Sequence, residues 1–178
     1  MYISEIFTTA PAKPVCELEG RTFAELDRLG IKYERVENDS VDSMEECVDI
    51  ANKLGAEIRK TIVVCNRQKT DFYLVILPAF KRFDSKLFSQ MMRCSRVSFA
   101  APEDMEAVIG LTPGEASVMG ILNDKAGKVQ VVIDKEVADA EWFGCNPGTN
   151  EAHLRFKTKQ LLNNFLPALK HRPEVVAL

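Results

Sequence analysis

Three segments of this chain carry residue types that could do chemistry. Lys60 stands at the start of the apolar run Thr61 to Cys65, where an ammonium group could meet a phosphate or polarise a carbonyl. In the segment 109–124, Gly114 and Gly120 let backbone amides come close to a ligand, since glycine has no Cβ, and such amides could hold a carbonyl oxygen. The third segment, 146–153, is a polar turn that ends at a histidine. The plain alternatives are a solvated lysine and an ordinary loop.

The histidines and cysteines offer few other catalytic or metal-binding arrangements. His171 lies in a polar stretch near Pro173, so a nucleophilic triad or a Cys–His pair would need His153, with Cys145 as its nearest thiol in sequence. A buried thiol beside a polar strand residue is the favoured account of that pair. The 5 cysteines are scattered and contain no Cys-x-x-Cys pair, which predicts reduced thiols and no metal site.

The charge distribution limits how the chain could meet a nucleic acid. A formal net charge of -3 argues against a protein that coats DNA or RNA through bulk electrostatics. One segment nevertheless has a local positive excess against the single acid Asp84, and it is the best candidate for contact with an RNA backbone. Its residues are Lys81, Arg82, Lys86, Arg93 and Arg96. A solvated helix face would explain the same pattern.

Helical and strand patterns interleave along the whole chain, which predicts a mixed α/β domain whose sheet is covered by helices. Apolar spacing predicts helices over 19–30, 43–55, 84–92 and 102–108 and after Thr158, with Ser43 and Glu46 as a capping box and Thr158 as a cap. Strands are predicted at 31–36, 61–65, 72–77, 97–99, 121–122, 129–133, 141–145 and 152–156.

At 178 residues and 46% hydrophobic, the chain fits one folded domain. We expect an N-terminal arm over 1–18, a domain over 19–170 and a C-terminal tail over 171–178. The longest apolar run, Phe72 to Phe80, is less than half of the roughly 20 residues that a membrane helix needs, and the N-terminus has no pattern of a signal peptide. We expect a cytoplasmic protein.

The segments, in this order and separation, resemble the YbaK and prolyl-tRNA-editing superfamily over about residues 20–170. Within it the chain is most similar to the free-standing alanyl-tRNA(Pro) deacylase branch, called PrdX or ProXp-ala. The resemblance is carried by residues 96–100 (Arg-Val-Ser-Phe-Ala), 111–114 (Leu-Thr-Pro-Gly), 123–124 (Asn-Asp), 132–134 (Val-Ile-Asp) and 146–147 (Asn-Pro).

The resemblance implies a YbaK-like single domain, with a curled mixed β-sheet, that hydrolyses the ester of mischarged tRNA. The substrate would lie between the lysine strand and the glycine-containing loop, and water would attack without a metal or cofactor. Lys60 and Gly114 take the catalytic positions. Substrate-binding positions fall on Thr61, Ser117, Val118, Met119, Asn146, Asn150 and His153. The implied partners are the acceptor end of tRNA and, as a further candidate, prolyl-tRNA synthetase.

Three positions depart from the family pattern. Val118 replaces a loop proline, Asn146 replaces the histidine before Pro147, and Thr61 replaces the asparagine of the alanine-specific branch. Thr61 is more similar to the YbaK branch, which edits cysteinyl-tRNA(Pro). Alanyl-tRNA(Pro) is therefore the first expected substrate, with cysteinyl- or seryl-tRNA as alternatives. A non-catalytic module that binds an amino acid, an aminoacyl-tRNA or a synthetase is the alternative outside enzymes. In a cavity that selects by size, Val118 and Met119 are the expected wall.

Overall fold

The computed structural model describes residues 1–178, and its strands form two sheets. The first sheet is antiparallel, with the order β1–β7–β6, and consists of β1 (Tyr33–Glu37), β6 (Trp142–Cys145) and β7 (Ala152–Lys157). The second is mixed, with the order β4–β2–β3–β5–β8. Its strands are β2 (Lys60–Asn66), β3 (Phe72–Leu77), β4 (Val97–Phe99), β5 (Val129–Asp134) and β8 (Glu174–Val176). Only the β3–β5 and β5–β8 pairs are parallel.

Helices cover the sheets where the sequence has apolar positions at helical spacing. They are α1 (Glu17–Arg28), α2 (Cys47–Leu54), α3 (Ser85–Met92), α4 (Pro102–Ile109), α5 (Lys135–Asp139), α6 (Thr158–Gln160) and α7 (Leu166–Ala168), with a π-helical turn at Leu161–Phe165. Phe23 and Leu26 of α1 are fully buried. The turn before α2 contains the expected capping box, since Ser43 Oγ accepts from the Glu46 N–H and a Glu46 carboxylate oxygen accepts from the Ser43 N–H. None of the helices combines the length and the apolar composition that a membrane span requires.

The two sheets share one hydrophobic core and one direct backbone connection. The core combines Leu74 and Ile76 of the mixed sheet with Phe143 and Phe156 of the antiparallel sheet. Between Ile58 and Gly144 there is an isolated parallel bridge, and the Gly144 carbonyl accepts from the Arg59 N–H at 2.9 Å. The mixed α/β architecture is thus confirmed, with its strands divided between two sheets.

Both chain ends pack against the domain. The N-terminal segment pairs with β1 through isolated bridges from Ile3 to Asn38 and from Phe7 to Arg35, while α1 begins within the expected arm at Glu17. At the other end, His171 is buried, and its two ring nitrogens lie 2.8 Å from Leu169 O and 2.8 Å from an Asp124 carboxylate oxygen. The residues expected as a tail thus add β8 to the mixed sheet.

Two local predictions were wrong. Ile121 and Leu122 belong to a 3₁₀ helix, Val118–Asn123, rather than to a strand. Ser117 caps this helix by accepting from the Met119 N–H, and an apolar run of two residues carries no period that separates strand from helix. Thr158 does not cap the final helix, since its buried hydroxyl has no hydrogen-bond partner.

Candidate active site

One small cavity of about 200 Å³ brings together residues from both sheets and from the glycine-containing loop 111–117. Six of the residues expected in the site line it: Lys60, Thr61, Gly114, Asn146, Asn150 and His153. The rest of the lining comes from the loop before α2, the start of α2, the approach to β2, and the neighbours of those six: Val41, Asp42, Ser43, Met44, Cys47, Ile58, Arg59, Ala116 and Cys145. Residues that are far apart in the sequence thus meet around one space.

Lys60 is the first residue of β2, and its ammonium lies beneath the loop that leads from β3 to α3. The ammonium donates a hydrogen bond to the carbonyl of Lys81 in that loop. The carboxylate of Glu57 also holds this loop, since it accepts a hydrogen bond from the Ala79 N–H. Partial burial lowers the pKa of Lys60, because removal from water disfavours the charged form. The strand start thus presents a restrained, partly desolvated cation to the cavity.

The glycine-containing loop is fixed by two asparagines of the turn between β6 and β7. Asn150 Nδ2 donates to the Gly114 carbonyl at 2.9 Å, and Asn146 Nδ2 donates to the Glu115 carbonyl at 3.3 Å. In the reverse direction, Ser117 Oγ donates to the Asn146 carbonyl at 2.7 Å. The two asparagine bonds thus hold the loop through its carbonyl oxygens. The N–H groups of Gly114 and Ala116 donate no hydrogen bond within the protein, so they are free for a ligand oxygen.

The turn that carries the asparagines is itself tightly packed. Asn146 Oδ1 accepts from the Gly148 N–H at 2.9 Å, and Thr22 of α1 donates its hydroxyl to the Pro147 carbonyl. Gly148 has a φ of +115°, and a Cβ there would lie 2.7 Å from the Leu18 side chain. Glycine is therefore required at this position both by conformation and by space. Because of this packing, Asn146 and Asn150 are rigidly placed.

His153 lies on β7 with one ring nitrogen fixed by Asn38. The Asn38 amide donates to the carbonyls of Asp39 and Asn150, so its oxygen faces His153 Nδ1 at 2.9 Å and Nδ1 carries the proton. The other nitrogen, Nε2, faces the Cys47 sulfur at 4.0 Å. Burial lowers the pKa of His153 to about 4 and raises the pKa of Cys47 to about 11. Both groups are neutral at pH 7.

Cys145 does not form the thiol–imidazole pair considered from the sequence. The histidine contacts are with Cys47 and Asn38, whereas the Cys145 thiol meets Ser117. Complete burial raises the pKa of Cys145, so its reactive thiolate form is disfavoured. The alternative prediction of a thiol enzyme is therefore wrong, because the Cys145 thiol and the His153 imidazole do not form a pair.

Three predicted substrate-binding residues lie behind the cavity rather than on its surface. Ser117 is buried and holds the Asn146 carbonyl, while Val118 and Met119 are fully buried in the main core. None of the three lines the cavity. Val118 and Met119 could affect the size of the accepted substrate only indirectly, by changing the position of the loop 111–117.

The basic segment divides into one paired residue and four free ones. Lys81 forms ion pairs with the buried carboxylate of Asp134 at 2.8 Å and with Glu136 at 3.1 Å. The other four side chains are exposed and form no ion pair: Arg82, Lys86, Arg93 and Arg96. Lys86, Arg93 and Arg96 line a shared groove of about 610 Å³ along α3. The groove has no acidic residue in its lining.

Sequence reasoning missed several residues that line the cavity or hold its lining residues in place. Asn38, which sets the proton position on His153, follows a strand and carries no signal in the sequence. Cys47 is one of 5 scattered cysteines, and Met44 and Ile58 are apolar residues that carry no functional signal in the sequence. Only the capping box at Ser43 marked this region, and it indicated a helix start rather than a site. No cluster of three or more histidine, cysteine or acidic side chains has a geometry that could hold a metal ion.

Sequence comparison with known proteins finds relatives that edit aminoacyl-tRNA. The family described as the aminoacyl-tRNA editing domain matches residues 38–163. The prolyl-tRNA editing protein ProX of Acetoanaerobium sticklandii is 30% identical over 129 residues, which cover 72% of this chain and 79% of ProX.

Solved structures agree on the fold. A crystal structure described as a candidate trans-editing enzyme for prolyl tRNA synthetase has a TM-score of 0.69 at 20% identity, covering 93% of this chain and 98% of that one. A scaffold protein from computational epitope grafting has a TM-score of 0.70 at 18% identity, covering 92% and 97%. The family match spans most of the chain and includes Lys60, Gly114 and Asn146. The protein therefore belongs to the aminoacyl-tRNA editing domain family.

Proposed function

We propose that this protein is a trans-editing deacylase that hydrolyses the ester of mischarged tRNA, with alanyl-tRNA(Pro) as its substrate. The observation that carries the proposal is that Lys60, Gly114, Ala116 and the two asparagines line one cavity, and that the N–H groups of Gly114 and Ala116 have no partner within the protein. This set combines a cation with hydrogen-bond donors for a developing negative charge, which is what ester hydrolysis requires.

In the proposed reaction, water adds to the ester carbonyl carbon. The carbonyl oxygen gains negative charge and is stabilised by the N–H groups of the 114–116 loop, while the Lys60 ammonium holds a phosphate or the same developing charge. The bond between the carbonyl carbon and the ribose oxygen then breaks. The amino acid leaves as a carboxylic acid, and the ribose oxygen recovers a proton as a hydroxyl. Asn146 and Asn150 keep the loop in position.

The size of the cavity supports selection of a small amino acid. Its volume of about 200 Å³ is below the roughly 300–1,000 Å³ of pockets that hold drug-sized ligands. A separate small cavity can admit alanine and reject the larger proline through contact with its wall, which a synthetase site made for proline cannot do with alanine. Selection of this kind is independent of the tRNA sequence.

The tRNA body would lie along the groove of α3. Lys86, Arg93 and Arg96 offer unpaired cations there, and the loop 78–84 connects this groove to the Lys60 end of the cavity. Contacts of this type bind phosphates without reading bases. ProX is named as a prolyl-tRNA editing protein, and association of this chain with prolyl-tRNA synthetase is part of the same proposal.

The test is deacylation of tRNA(Pro) charged separately with alanine, cysteine, serine and proline. We expect loss of alanine with proline untouched, and a decrease of about 10²- to 10³-fold in the rate for Lys60→Ala. Lys53→Ala is the matched control, because Lys53 is exposed on α2 and forms no ion pair. Binding of alanyl-tRNA without hydrolysis would indicate the non-catalytic module instead. Preferential loss of cysteine would assign the cysteinyl substrate.

A further inference from the structure

The most buried side chains of the cavity lining are neutral, apart from that of Arg59, whose charge is paired. His153, Cys47 and Ile58 are 2%, 6% and 5% exposed. Asp42 and Lys60 are more exposed, whereas the Arg59 side chain is only 7% exposed and its guanidinium is paired with the Glu57 carboxylate at 3.0 Å. An ammonium or phosphate would lose its hydration at the buried end without a counter-charge, whereas a small neutral side chain would not. The buried end is therefore suited to the side chain of the amino acid, and the exposed end to the ester and phosphate.

This buried end presents a hydrogen-bond acceptor of fixed identity. Asn38 holds the proton on His153 Nδ1, so Nε2 has a free lone pair directed toward Cys47. A thiol is a weak donor, and a separation of 4.0 Å uses little of that lone pair. The low pKa of His153 keeps Nε2 unprotonated at neutral pH. A buried acceptor with only a weak partner is an unfavourable arrangement that a ligand donor would improve.

We propose that His153 is a specificity-determining residue, and that its Nε2 accepts a hydrogen bond from the hydroxyl of a seryl ester. This inference rests on the proposed deacylase function and extends its substrate class from alanine to small side chains that carry a donor. Serine is only one atom larger than alanine, so size alone does not exclude it. The hydroxyl is also neutral, as the buried end requires. A side chain of equal size without a donor would leave Nε2 unsatisfied and bind less well.

The test compares tRNA(Pro) charged with serine, with 2-aminobutyrate and with alanine. Serine and 2-aminobutyrate have the same number of heavy side-chain atoms, but only serine has a hydroxyl. We expect kcat/KM for the seryl ester to exceed that for the 2-aminobutyryl ester by roughly three- to ten-fold in the wild type, the contribution of one neutral hydrogen bond. In His153→Leu and His153→Phe the ratio of kcat/KM for the seryl ester to that for the 2-aminobutyryl ester should fall to about one.

The outcomes separate the two proposals. If none of the three esters is hydrolysed, the deacylase function fails. If the alanyl ester is hydrolysed but the seryl and 2-aminobutyryl esters react equally in the wild type, only the role of His153 is overturned. An unchanged ratio in a folded His153 variant overturns it as well. Because the wild-type comparison needs no substitution, it decides the question even if both variants fail to fold.

Discussion

His153 connects the cavity to the pH dependence of stability. Its pKa is about 4 in the folded protein, against about 6.5 for an exposed histidine, because its ring is buried and neutral. As the pH falls below 6.5 the unfolded chain binds a proton first, so the free energy of unfolding decreases. This contribution is complete above pH 6.5 and is lost as the pH falls to about 4. A shift of this size corresponds to a loss on the order of 3 kcal/mol.

Urea denaturation at pH 7 and pH 4.5 measures this loss. Carboxylates also titrate in this range, so the comparison is with His153→Leu, which keeps the carboxylates and removes the imidazole. We expect the wild type to lose more stability than the variant between the two pH values. Equal losses in both proteins would mean that the imidazole is not held neutral by burial.

At the scale of elements, Gly144 determines how the two sheets meet. It lies in β6, where its carbonyl accepts from Arg59, and a Cβ at this position would lie 2.6 Å from the Glu57 carbonyl oxygen. The Glu57 oxygen belongs to the backbone, and the added Cβ would be attached directly to the backbone of Gly144, so the clash cannot be relieved without separating the two sheets. We expect Gly144→Ala to lower the free energy of unfolding by at least about 2 kcal/mol.

Gly30→Ala is the control for this substitution. Gly30 has a φ of +67° and no atom within 4 Å of the added Cβ, so it carries only the conformational cost of about 1 kcal/mol. Thermal or urea unfolding of both variants gives the comparison. Equal destabilisation would show that the approach of the two sheets is not limited by the missing Cβ.

Most elements were predictable because each has a local signal. The β2–β3 hairpin follows from two β-branched and aromatic runs around a polar turn, and α2 follows from its capping box and from Gly55. The failures arose where the structure depends on contacts outside the segment. The residues 118–123 form a 3₁₀ helix against α1 and α4, and nothing in their own composition separates that from a strand.

At the scale of the whole molecule, the net charge is negative, but the groove along α3 is lined by basic side chains that form no ion pair. Replacing its cations by Lys86→Gln, Arg93→Asn and Arg96→Gln should raise KM for charged tRNA with little change in kcat, because these side chains would contact phosphates rather than the ester. Asparagine is used at 93 because Arg93 has a φ of 52°. The slope of log KM against log salt should decrease by about 2 to 3.

A triple variant elsewhere on the surface controls for net charge. Lys53, Lys125 and Lys159 are exposed and form no ion pair, so their replacement by glutamine removes the same charge far from α3 in sequence. Steady-state deacylation between 50 and about 200 mM salt compares the two proteins. If both variants change KM equally, tRNA is attracted by total charge and not by the groove.

The spatial proximity of the site residues could be inferred only from the family resemblance. Lys60, Gly114 and Asn146 belong to a strand, a loop and a turn whose separation in sequence gives no distance. The residues that depend on side-chain orientation were not predictable. Asn38 matters because its amide is fixed by two carbonyls, and Val118 points into the core because the 3₁₀ helix turns it there. Orientation of this kind arises only when the whole chain is folded.

Asn146 and Asn150 hold the glycine-containing loop by its carbonyl oxygens, and a carbonyl oxygen is present whatever side chain a residue carries. The side chain of Ala116, which lines the cavity, can therefore be exchanged while the loop keeps its place, whereas Gly114, with a φ of +91°, would be strained by any side chain. Across a lineage, the wall of the cavity can change toward a different amino acid through intermediates that all remain folded. The amino acid that the cavity accepts can thereby change during evolution while the fold stays the same.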